Sequence, residues 1–190
     1  MIAWRPELPI ITERLELRVH RVDDVDDMLQ FRSDPEVVRY VPWPVSTRDD
    51  VLEALPRRLA AGTVEKVGDW LILAIVFRAT GQVIGEVLLK NSGEDAAELG
   101  YALHRSFHGK GLAREAAEAM LELGFREFGL RRITAGLDER NTASAALLER
   151  LGFTRHRRYQ DEFKGELCWA LEYELRAQPA DGVARPRAHP

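Results

Sequence analysis

The segment His108-Gly109-Lys110-Gly111-Leu112-Ala113 is the most informative stretch of this chain. It follows an apolar, strand-like run from Leu99 to Leu103 and opens a helical pattern that continues to about Glu127. Glycines before a helix let backbone N–H groups approach a ligand closely, and the helix N-terminus adds a partial positive charge. The segment therefore predicts a binding site for phosphate oxygens, although a strand-to-helix turn without a ligand uses the same residues.

Two common phosphate-binding loops do not fit this segment. The Walker pattern requires Ser or Thr after Gly-Lys, whereas Gly111 follows Lys110 here. The dinucleotide fingerprint requires a third glycine, or an alanine, where this chain has Arg114. The segment thus indicates a phosphate site of another kind.

Length and composition predict one soluble globular domain. The chain has 190 residues, of which 45% are hydrophobic and 31% charged. We expect a single domain over 1–177 and a disordered tail over 178–190, where prolines occur without apolar periodicity. The net charge of −4 argues against a nucleic-acid partner bound through a broad basic face.

Cysteine content and the lengths of the apolar runs bear on disulfides, metal sites and cellular location. Cys168 is the only cysteine, so neither an intramolecular disulfide framework nor a zinc cluster is expected, and we predict no metal site. No apolar run reaches membrane-spanning length, and the N-terminus has no signal-peptide core. We expect a cytoplasmic protein without a membrane partner.

The order of periodic segments predicts an α+β fold. A half-buried strand at Arg14–Val19 precedes two helices, the second capped by Ser46 or Thr47 and kinked or split at Pro56. These are followed by three antiparallel strands and then by the glycine segment with its helix. Next come a strand, a short helix that Asn141 caps and Gly152 ends, and two final strands. The last two strands, Phe153–Tyr159 and Leu167–Leu175, are expected to flank an irregular stretch.

Three motifs occur together: the glycine segment, Asn141-Thr142-Ala143-Ser144, and Leu151-Gly152-Phe153. Their combination resembles the GCN5-related N-acetyltransferases (GNAT superfamily) from about residue 10 to residue 176. Two further segments resemble the Rim-type branch, which acetylates the N-termini of ribosomal proteins: Glu13-Arg14-Leu15-Glu16-Leu17-Arg18 and Glu98-Leu99-Gly100-Tyr101.

The resemblance implies a mixed, mostly antiparallel sheet of about seven strands, splayed at the cofactor site and flanked by about four helices. It implies acetyl-CoA as the co-substrate, with its pyrophosphate on the backbone amides of His108, Gly109, Lys110, Gly111, Leu112 and Ala113. The family motif usually begins with Arg or Gln, where this chain has His108. Backbone near Leu103 would pair with pantetheine, and Asn141 would contact the cofactor in addition to, or instead of, capping its helix.

Acetyl transfer to an amine requires a base, a stabilised carbonyl oxygen and support for the departing thiolate. Many relatives place a tyrosine donor seven residues after the asparagine, where this chain has Leu148, so Ser144 is the predicted substitute. Glu98 and Glu86 lie within apolar strands and are the candidate bases, with Glu98 favoured. His104 or a water chain are alternatives, and Asp161 and Glu166 are candidates for binding a substrate cation.

These features predict an N-acetyltransferase acting on a primary amine by direct attack in a ternary complex. A protein or peptide N-terminus is the favoured acceptor, and a small-molecule amine such as an antibiotic or polyamine is the alternative. The Trp43 segment and the Asp161–Gly165 loop are expected to shape the acceptor site. Because Leu148 replaces the tyrosine, a non-catalytic acyl-CoA sensor is a further alternative function. The sequence does not determine the oligomeric state, for which a homodimer is one option.

Overall fold

The computed structural model describes residues 3–178. Eight strands lie at β1 Ile10–Ile11, β2 Leu15–Arg18, β3 Trp70–Phe77, β4 Gln82–Gly93, β5 Ala96–Leu103, β6 Arg132–Asp138, β7 Thr154–Phe163 and β8 Glu166–Arg176. Five α-helices lie at α1 Val25–Arg32, α2 Pro35–Val38, α3 Arg48–Leu59, α4 Leu112–Glu122 and α5 Thr142–Arg150. One π-helical turn, Leu123–Glu127, extends α4.

All eight strands form one sheet in the order β1-β2-β3-β4-β5-β6-β8-β7. Every neighbouring pair is antiparallel except β5 and β6, which are parallel and joined by the crossover through α4. The predicted α+β class and the predicted meander of β3, β4 and β5 are confirmed. The strand missed from the sequence is β1, because two residues are too few to show an alternating pattern.

Two hydrophobic cores lie on opposite faces of the sheet. Helix α4 packs on one face over β2, β4 and β5, where Met120 and Ala116 are fully buried among Leu73, Ile75 and Ile84. Helices α1 and α3 cover the other face and contribute a second cluster, which includes Met28 and Phe31 from α1 and Val51 and Leu55 from α3. The sheet is therefore the common wall that fixes both helix layers relative to one another.

Two local predictions were wrong. Helix α3 is not split at Pro56 but runs from Arg48 to Leu59, after a capping box formed by Thr47 and Asp50. Leu52, whose carbonyl loses its helical partner because position 56 has no N–H, lies on the exposed side of the helix, where such a carbonyl can bond to solvent. The predicted irregular stretch between the last two strands is a tight hairpin whose turn residues, Lys164 and Gly165, have φ of 53° and 79°.

Other local predictions hold. Thr47 accepts a hydrogen bond from the backbone of Asp50 as the α3 cap, and Gly152 ends α5 with φ of 88°. The continuous sheet gives no reason to divide the described chain, so a single domain stays our prediction. The tail predicted from Gln178 onward lies outside the described residues from residue 179.

Candidate active site

A gap between β5 and β6 defines the site. The two parallel strands pair only where Ala96–Glu98 meets Arg132–Thr134. Beyond that point β5 stays paired with β4 and β6 stays paired with β8, so their facing edges separate. The splay that the family resemblance implied is present, and it leaves backbone groups of two strands facing a shared space.

A cavity of about 970 Å³ occupies this gap and extends across both of its ends. Its walls are the free stretch of β5, residues Ala135–Leu137 of β6, and the start of α5. One end, the cofactor half, is lined by His108, Gly109 and residues 111–114. The other end, the acceptor half, is lined by residues of α2, the Trp43 segment, α3 and Trp70.

The glycine segment has the geometry of an anion-binding turn. Gly109 and Gly111 have φ of 72° and 76°, in the left-handed region that favours glycine. Gly111 is the N-cap of α4, and no side chain caps this helix. The first N–H groups of a helix have no acceptor within the helix, so these amides are free to meet a phosphate group in the cavity.

A charged clamp, formed by Thr12, Arg14 and Glu115, fixes the glycine segment against the start of β2. Glu115 in the first turn of α4 accepts hydrogen bonds from Thr12 Oγ1 at 2.6 Å, Arg14 N at 2.8 Å and Arg14 Nε at 2.7 Å. Arg14 Nη1 also donates to the carbonyl of Lys110 at 2.8 Å. Burial opposes ionisation of Glu115, but the hydrogen bonds from Thr12 and Arg14 outweigh it and lower its pKa.

The clamp has an electrostatic consequence for the helix end. An acidic side chain in the first turn competes with a bound phosphate for the positive end of the helix. Arg14 neutralises Glu115 through a contact of 2.7 Å, so the carboxylate adds no uncompensated negative charge beside the loop. The sequence contained both residues but gave no sign that they pair, since they lie 101 positions apart.

The side chain of His108 is hydrogen-bonded to the backbone carbonyl of Leu103, a residue whose backbone was predicted to pair with the cofactor. Its Nε2 lies 2.8 Å from the carbonyl oxygen of Leu103, so the Nε2–H donates to that carbonyl. His104 N–H, one residue later, donates to Ile84 of β4. The backbone N–H and C=O groups of successive residues in a strand point to opposite edges. Because those of His104 face β4, those of Leu103 and Tyr101 face the gap. Lys110 Nζ lies 5.2 Å from the centroid of the Phe107 ring, on its face.

The start of α5 forms the opposite wall. Asn141 caps the helix by accepting a hydrogen bond from Ser144 N–H at 3.1 Å, as predicted, and it also lines the cavity. Ser144 Oγ lies 2.7 Å from the hydroxyl of Tyr101, across the gap. Leu148, one turn further, is buried and apolar. Sequence reasoning singled out Ser144 but missed Tyr101 as its partner.

Glu98 stands at the point where β5 and β6 part. It is the last residue of β5 paired with β6, it lines the cavity, and its side chain is 44% exposed. Lys90 Nζ on the neighbouring strand lies 3.9 Å from its carboxylate. Glu98 therefore has both access to the cavity and solvent contact, which a proton acceptor requires.

The catalytic role predicted for Glu86 does not fit its surroundings. Arg58 Nε and Nη2 donate to its carboxylate at 2.7 and 2.9 Å, and Arg32 Nη1 donates at 3.3 Å. Burial by itself raises the pKa of Glu86, but the hydrogen bonds and charges of the two arginines outweigh it and lower the pKa. A carboxylate held by two guanidinium groups is a poor base, and it ties α1 and α3 to the sheet instead.

The carboxylates of the acceptor half are all held in ion pairs. Three carboxylates line it, and each is paired with a cation: Glu36 with Arg39, Glu86 with Arg58, and Glu98 with Lys90. Arg57 also lines it and lies 5.3 Å from the centroid of the Trp70 ring. Within residues 3–178, Arg57 has no carboxylate at ion-pair distance, so its charge has no direct counter-charge.

Of four other predicted residues, one lines the cavity and three do not. Trp43 lines the acceptor half, whereas Asp161, Glu166 and His104 are not among the described residues that line the cavity. Glu166 lies 3.8 Å from Arg140, and His104 Nδ1 accepts from Ser106 N–H. The β7–β8 hairpin still reaches the acceptor side, because Lys164 Nζ donates to the carbonyl of Val38 in α2 at 2.6 Å.

Two negative findings concern the described residues. None of their helices is long and apolar enough to cross a membrane. Between residues 3 and 178, no group of three or more His, Cys, Asp or Glu side chains is arranged to hold a metal ion.

Comparison with known proteins agrees with this geometry. Residues 14–154 match the acetyltransferase (GNAT) domain family. An uncharacterised N-acetyltransferase of Bacillus licheniformis is 32% identical over 172 residues, which is 87% of this chain and 94% of the relative. The uncharacterised N-acetyltransferase YnaD of Bacillus subtilis is 31% identical over 147 residues, or 77% of this chain and 82% of the relative.

Solved structures share the fold at lower identity. A GNAT-family acetyltransferase from Bacillus anthracis has a TM-score of 0.78 at 24% identity, over 89% of this chain and 98% of that one. RimL, a ribosomal alpha-N-protein acetyltransferase in complex with coenzyme A, has a TM-score of 0.76 at 20% identity, over 90% of this chain and 98% of that one. Spermidine N-acetyltransferase from Vibrio cholerae, in complex with CoA and spermine, has a TM-score of 0.73 at 18% identity, over 87% of this chain and 96% of that one.

The chain therefore belongs to the GNAT acetyltransferase family. It is an acetyltransferase that uses acetyl-CoA as its acetyl donor, as the motifs predicted. The open edges of the gap and the uncapped N-terminus of α4 fit such a donor, since a pantetheine chain needs backbone partners and a pyrophosphate needs N–H donors.

Proposed function

We propose that this protein transfers the acetyl group of acetyl-CoA to the N-terminal amine of a protein or peptide, by direct attack in a ternary complex. The observation that carries the proposal is the continuous cavity through the β5–β6 gap. The glycine turn that we propose to bind phosphate lies at one end, and a separate half suited to an acceptor lies at the other. Donor and acceptor can thus enter from opposite ends and meet between Glu98 and Ser144.

In the cofactor half, the backbone amides from Gly109 to Ala113 are the proposed ligands of the pyrophosphate, and the side chain of Lys110 would add a positive charge. The carbonyl of Leu103 is already bonded to His108, so the peptide groups of Tyr101 are the better placed partners for pantetheine. The amide group of Asn141 is proposed to contact the cofactor while its Oδ1 caps α5.

Glu98 is the proposed base. An ammonium acceptor must lose a proton before or during attack, and Glu98 offers a carboxylate with both cavity and solvent access. Backbone N–H groups along the gap would stabilise the negative charge that develops on the carbonyl oxygen. Ser144 is proposed to contact the departing sulfur from the α5 wall.

The charge of the acceptor half supports a peptide amine over a polyamine. A peptide N-terminus brings one positive charge and neutral amides, whereas a polyamine brings at least one further cation. Every carboxylate that lines this half is already paired, so none is free to bind a second substrate cation, and the unpaired charge of Arg57 repels one. A small-molecule monoamine fits the same charge pattern and is the second candidate acceptor. The cytoplasmic location and the homodimer stay predictions.

Thiol release from acetyl-CoA, measured over a panel of short peptides, spermidine and aminoglycosides, tests the proposal. We expect turnover with peptides that have a free N-terminus and none when that amine is blocked. Turnover with spermidine above that with any peptide would contradict the acceptor assignment. Thermal stabilisation by acetyl-CoA without turnover of any amine would identify the non-catalytic sensor instead.

Glu98→Gln and Ser144→Ala are the matched site variants, and Glu122→Gln on the exposed face of α4 is the control. We expect both site variants to lower kcat at least tenfold while acetyl-CoA still binds. Full activity in both site variants would refute the catalytic roles and leave the family membership intact.

A further inference from the structure

Tyr101 connects the two walls of the gap through its hydroxyl. It lies on β5 beyond the last residue paired with β6, and its hydroxyl oxygen is 2.7 Å from Ser144 Oγ on α5. This is the usual length of a good O–H···O bond. Ser144 was predicted from the sequence as a single residue, but its contact with Tyr101, 43 positions away, was not.

The direction of this hydrogen bond determines what Ser144 can do. A hydroxyl has one proton to donate, so a serine that donates to tyrosine has none left for a ligand. Burial, only partly opposed by the bond to Ser144, raises the pKa of Tyr101 to about 12, so the phenol keeps its proton at neutral pH. With Tyr101 as donor, the Ser144 O–H is free to point into the cavity that it lines.

The rest of α5 keeps Ser144 in place. Its N–H donates to Asn141 Oδ1 at 3.1 Å, which fixes the first helical turn. The next side chain on this wall, Leu148, is 1% exposed and has no polar atom. Ser144 is consequently the hydroxyl that this turn of α5 presents to the cavity, and Tyr101 is its bonded neighbour.

We propose that Tyr101 is a positioning residue that turns the Ser144 hydroxyl toward the sulfur of acetyl-CoA, so that coenzyme A departs as a hydrogen-bonded thiolate. This inference rests on the proposed function. When the tetrahedral intermediate collapses, the C–S bond breaks and its electron pair stays on sulfur, where Ser144 O–H donates a hydrogen bond. The ammonium passes its first proton through Glu98 to solvent, to which this side chain is 44% exposed, and Glu98 then accepts the second proton from the attacking nitrogen, so neither hydroxyl gives up its own.

Acidity supports departure as the anion. A thiol has a pKa of about 8.5, far below the pKa of Tyr101 near 12, so transfer of the phenol proton to a thiolate is strongly uphill. A pair of hydroxyls in series instead stabilises the anion without transferring a proton. Of the two roles open to Ser144, a hydrogen bond to the sulfur and the relay of a proton, this inference assigns the first.

The direct test is the acidity of the coenzyme A thiol when it is bound, followed by thiolate ultraviolet absorbance during a pH titration. We expect the bound thiol to be more acidic in the parent than in free coenzyme A. Tyr101→Phe should shift its titration upward by at least half a pH unit, and Ser144→Ala should shift it at least as far. Tyr159→Phe, on the exposed strand β7, is the control and should leave the titration unchanged.

Kinetics give a second, independent readout. Loss of one neutral hydrogen bond predicts a fivefold to tenfold lower kcat for Tyr101→Phe, with KM for acetyl-CoA within twofold of the parent. Because Tyr101 acts through Ser144, the double variant should be no slower than Ser144→Ala alone. Additive losses in the double variant, or an unchanged thiol titration in Tyr101→Phe, would overturn the inference.

The same experiments separate this inference from the proposed function. If coenzyme A does not bind to the parent, the proposed function fails. If it binds and peptides are acetylated, but Tyr101→Phe matches the parent in both readouts, only the role of Tyr101 fails. Ser144→Ala keeps the titration informative if the phenylalanine variant does not fold.

Discussion

Lowering the pH below 6.5 destabilises this fold through His20, a residue outside the active site. Its side chain is fully buried between two carboxylates, with Nδ1 3.7 Å from Asp24 and Nε2 3.7 Å from Glu86. Neither ring nitrogen has a hydrogen-bond partner among the described residues. Burial, reinforced by the positive charge of Arg58 and only partly offset by Glu86, lowers the pKa of His20 from 6.5 to about 4.

The sign and size of the effect follow from proton linkage. Between pH 6.5 and about 4 the unfolded chain binds a proton at His20 that the folded chain excludes, so stability falls as the pH falls through this window. The two pKa values differ by roughly 2.5, which corresponds to a loss of about 3 kcal/mol once the pH is below both. At pH 5 the expected loss relative to pH 8 is about 2 kcal/mol.

Urea unfolding of the ligand-free protein at pH 8 and pH 5 measures this loss. His20→Gln removes the titrating group, so its free energy of unfolding should change much less between the two pH values. His156→Gln, on the exposed strand β7, is the control and should retain the parent's loss. The carboxylates of Asp24 and Glu86 do not interfere, because their pKa values are lowered and both stay ionised at pH 5. An equal loss in the parent and in His20→Gln would refute the reasoning.

Three further substitutions test the site and its support. Gly109→Ala places an alanine at φ of 72° with no atom within 4 Å of the new Cβ, so the free loop should relax from this conformation, and restoring it on binding, at about 1 kcal/mol, should weaken acetyl-CoA binding about fivefold in calorimetry; Gly129→Ala, equally open at φ of 65° but outside the glycine segment, should lower stability but not affinity. Glu115→Gln should weaken acetyl-CoA binding at least threefold by releasing Arg14 from the clamp, whereas Glu122→Gln should not; equal affinities would contradict the clamp. Glu86→Gln should lower the free energy of unfolding at pH 7 by about 3 kcal/mol, because Arg58 and Arg32 would lose their counter-charge; a stable variant that lost only kcat would restore Glu86 as a base.

Features encoded in adjacent residues were predictable from the sequence. Gly109 and Gly111 adopt the positive φ values expected of glycines before a helix, and Asn141 caps α5. The parallel crossover around the glycine segment also followed from the order of the strands and helices. In each case the controlling interaction spans only a few residues, so local propensity is sufficient.

Interactions between distant segments were not predictable in this way. Glu86 sits in an apolar strand, which is equally compatible with a cleft base and with a buried ion pair. Its partners, Arg58 and Arg32, lie 28 and 54 positions away on two different helices, and only the fold brings them together. The clamp between Arg14 and Glu115 escaped for the same reason.

The final hairpin shows a different limit. Lys164-Gly165 forms a two-residue turn in which both residues have positive φ. Asn or Asp usually takes the first of these positions because its side chain tolerates the left-handed region, whereas lysine does so rarely. The lysine is held there by its bond to the carbonyl of Val38, a contact that no local pattern reveals.

An amide NMR titration with acetyl-CoA tests most directly whether the diphosphate of the donor lies on the first turn of α4. We predict the largest shift changes at Gly109, Gly111, Leu112 and Ala113, with smaller changes at Tyr101 along the free edge of β5. Saturation with acetyl-CoA that left these amides unmoved, or that shifted a different surface, would contradict the account.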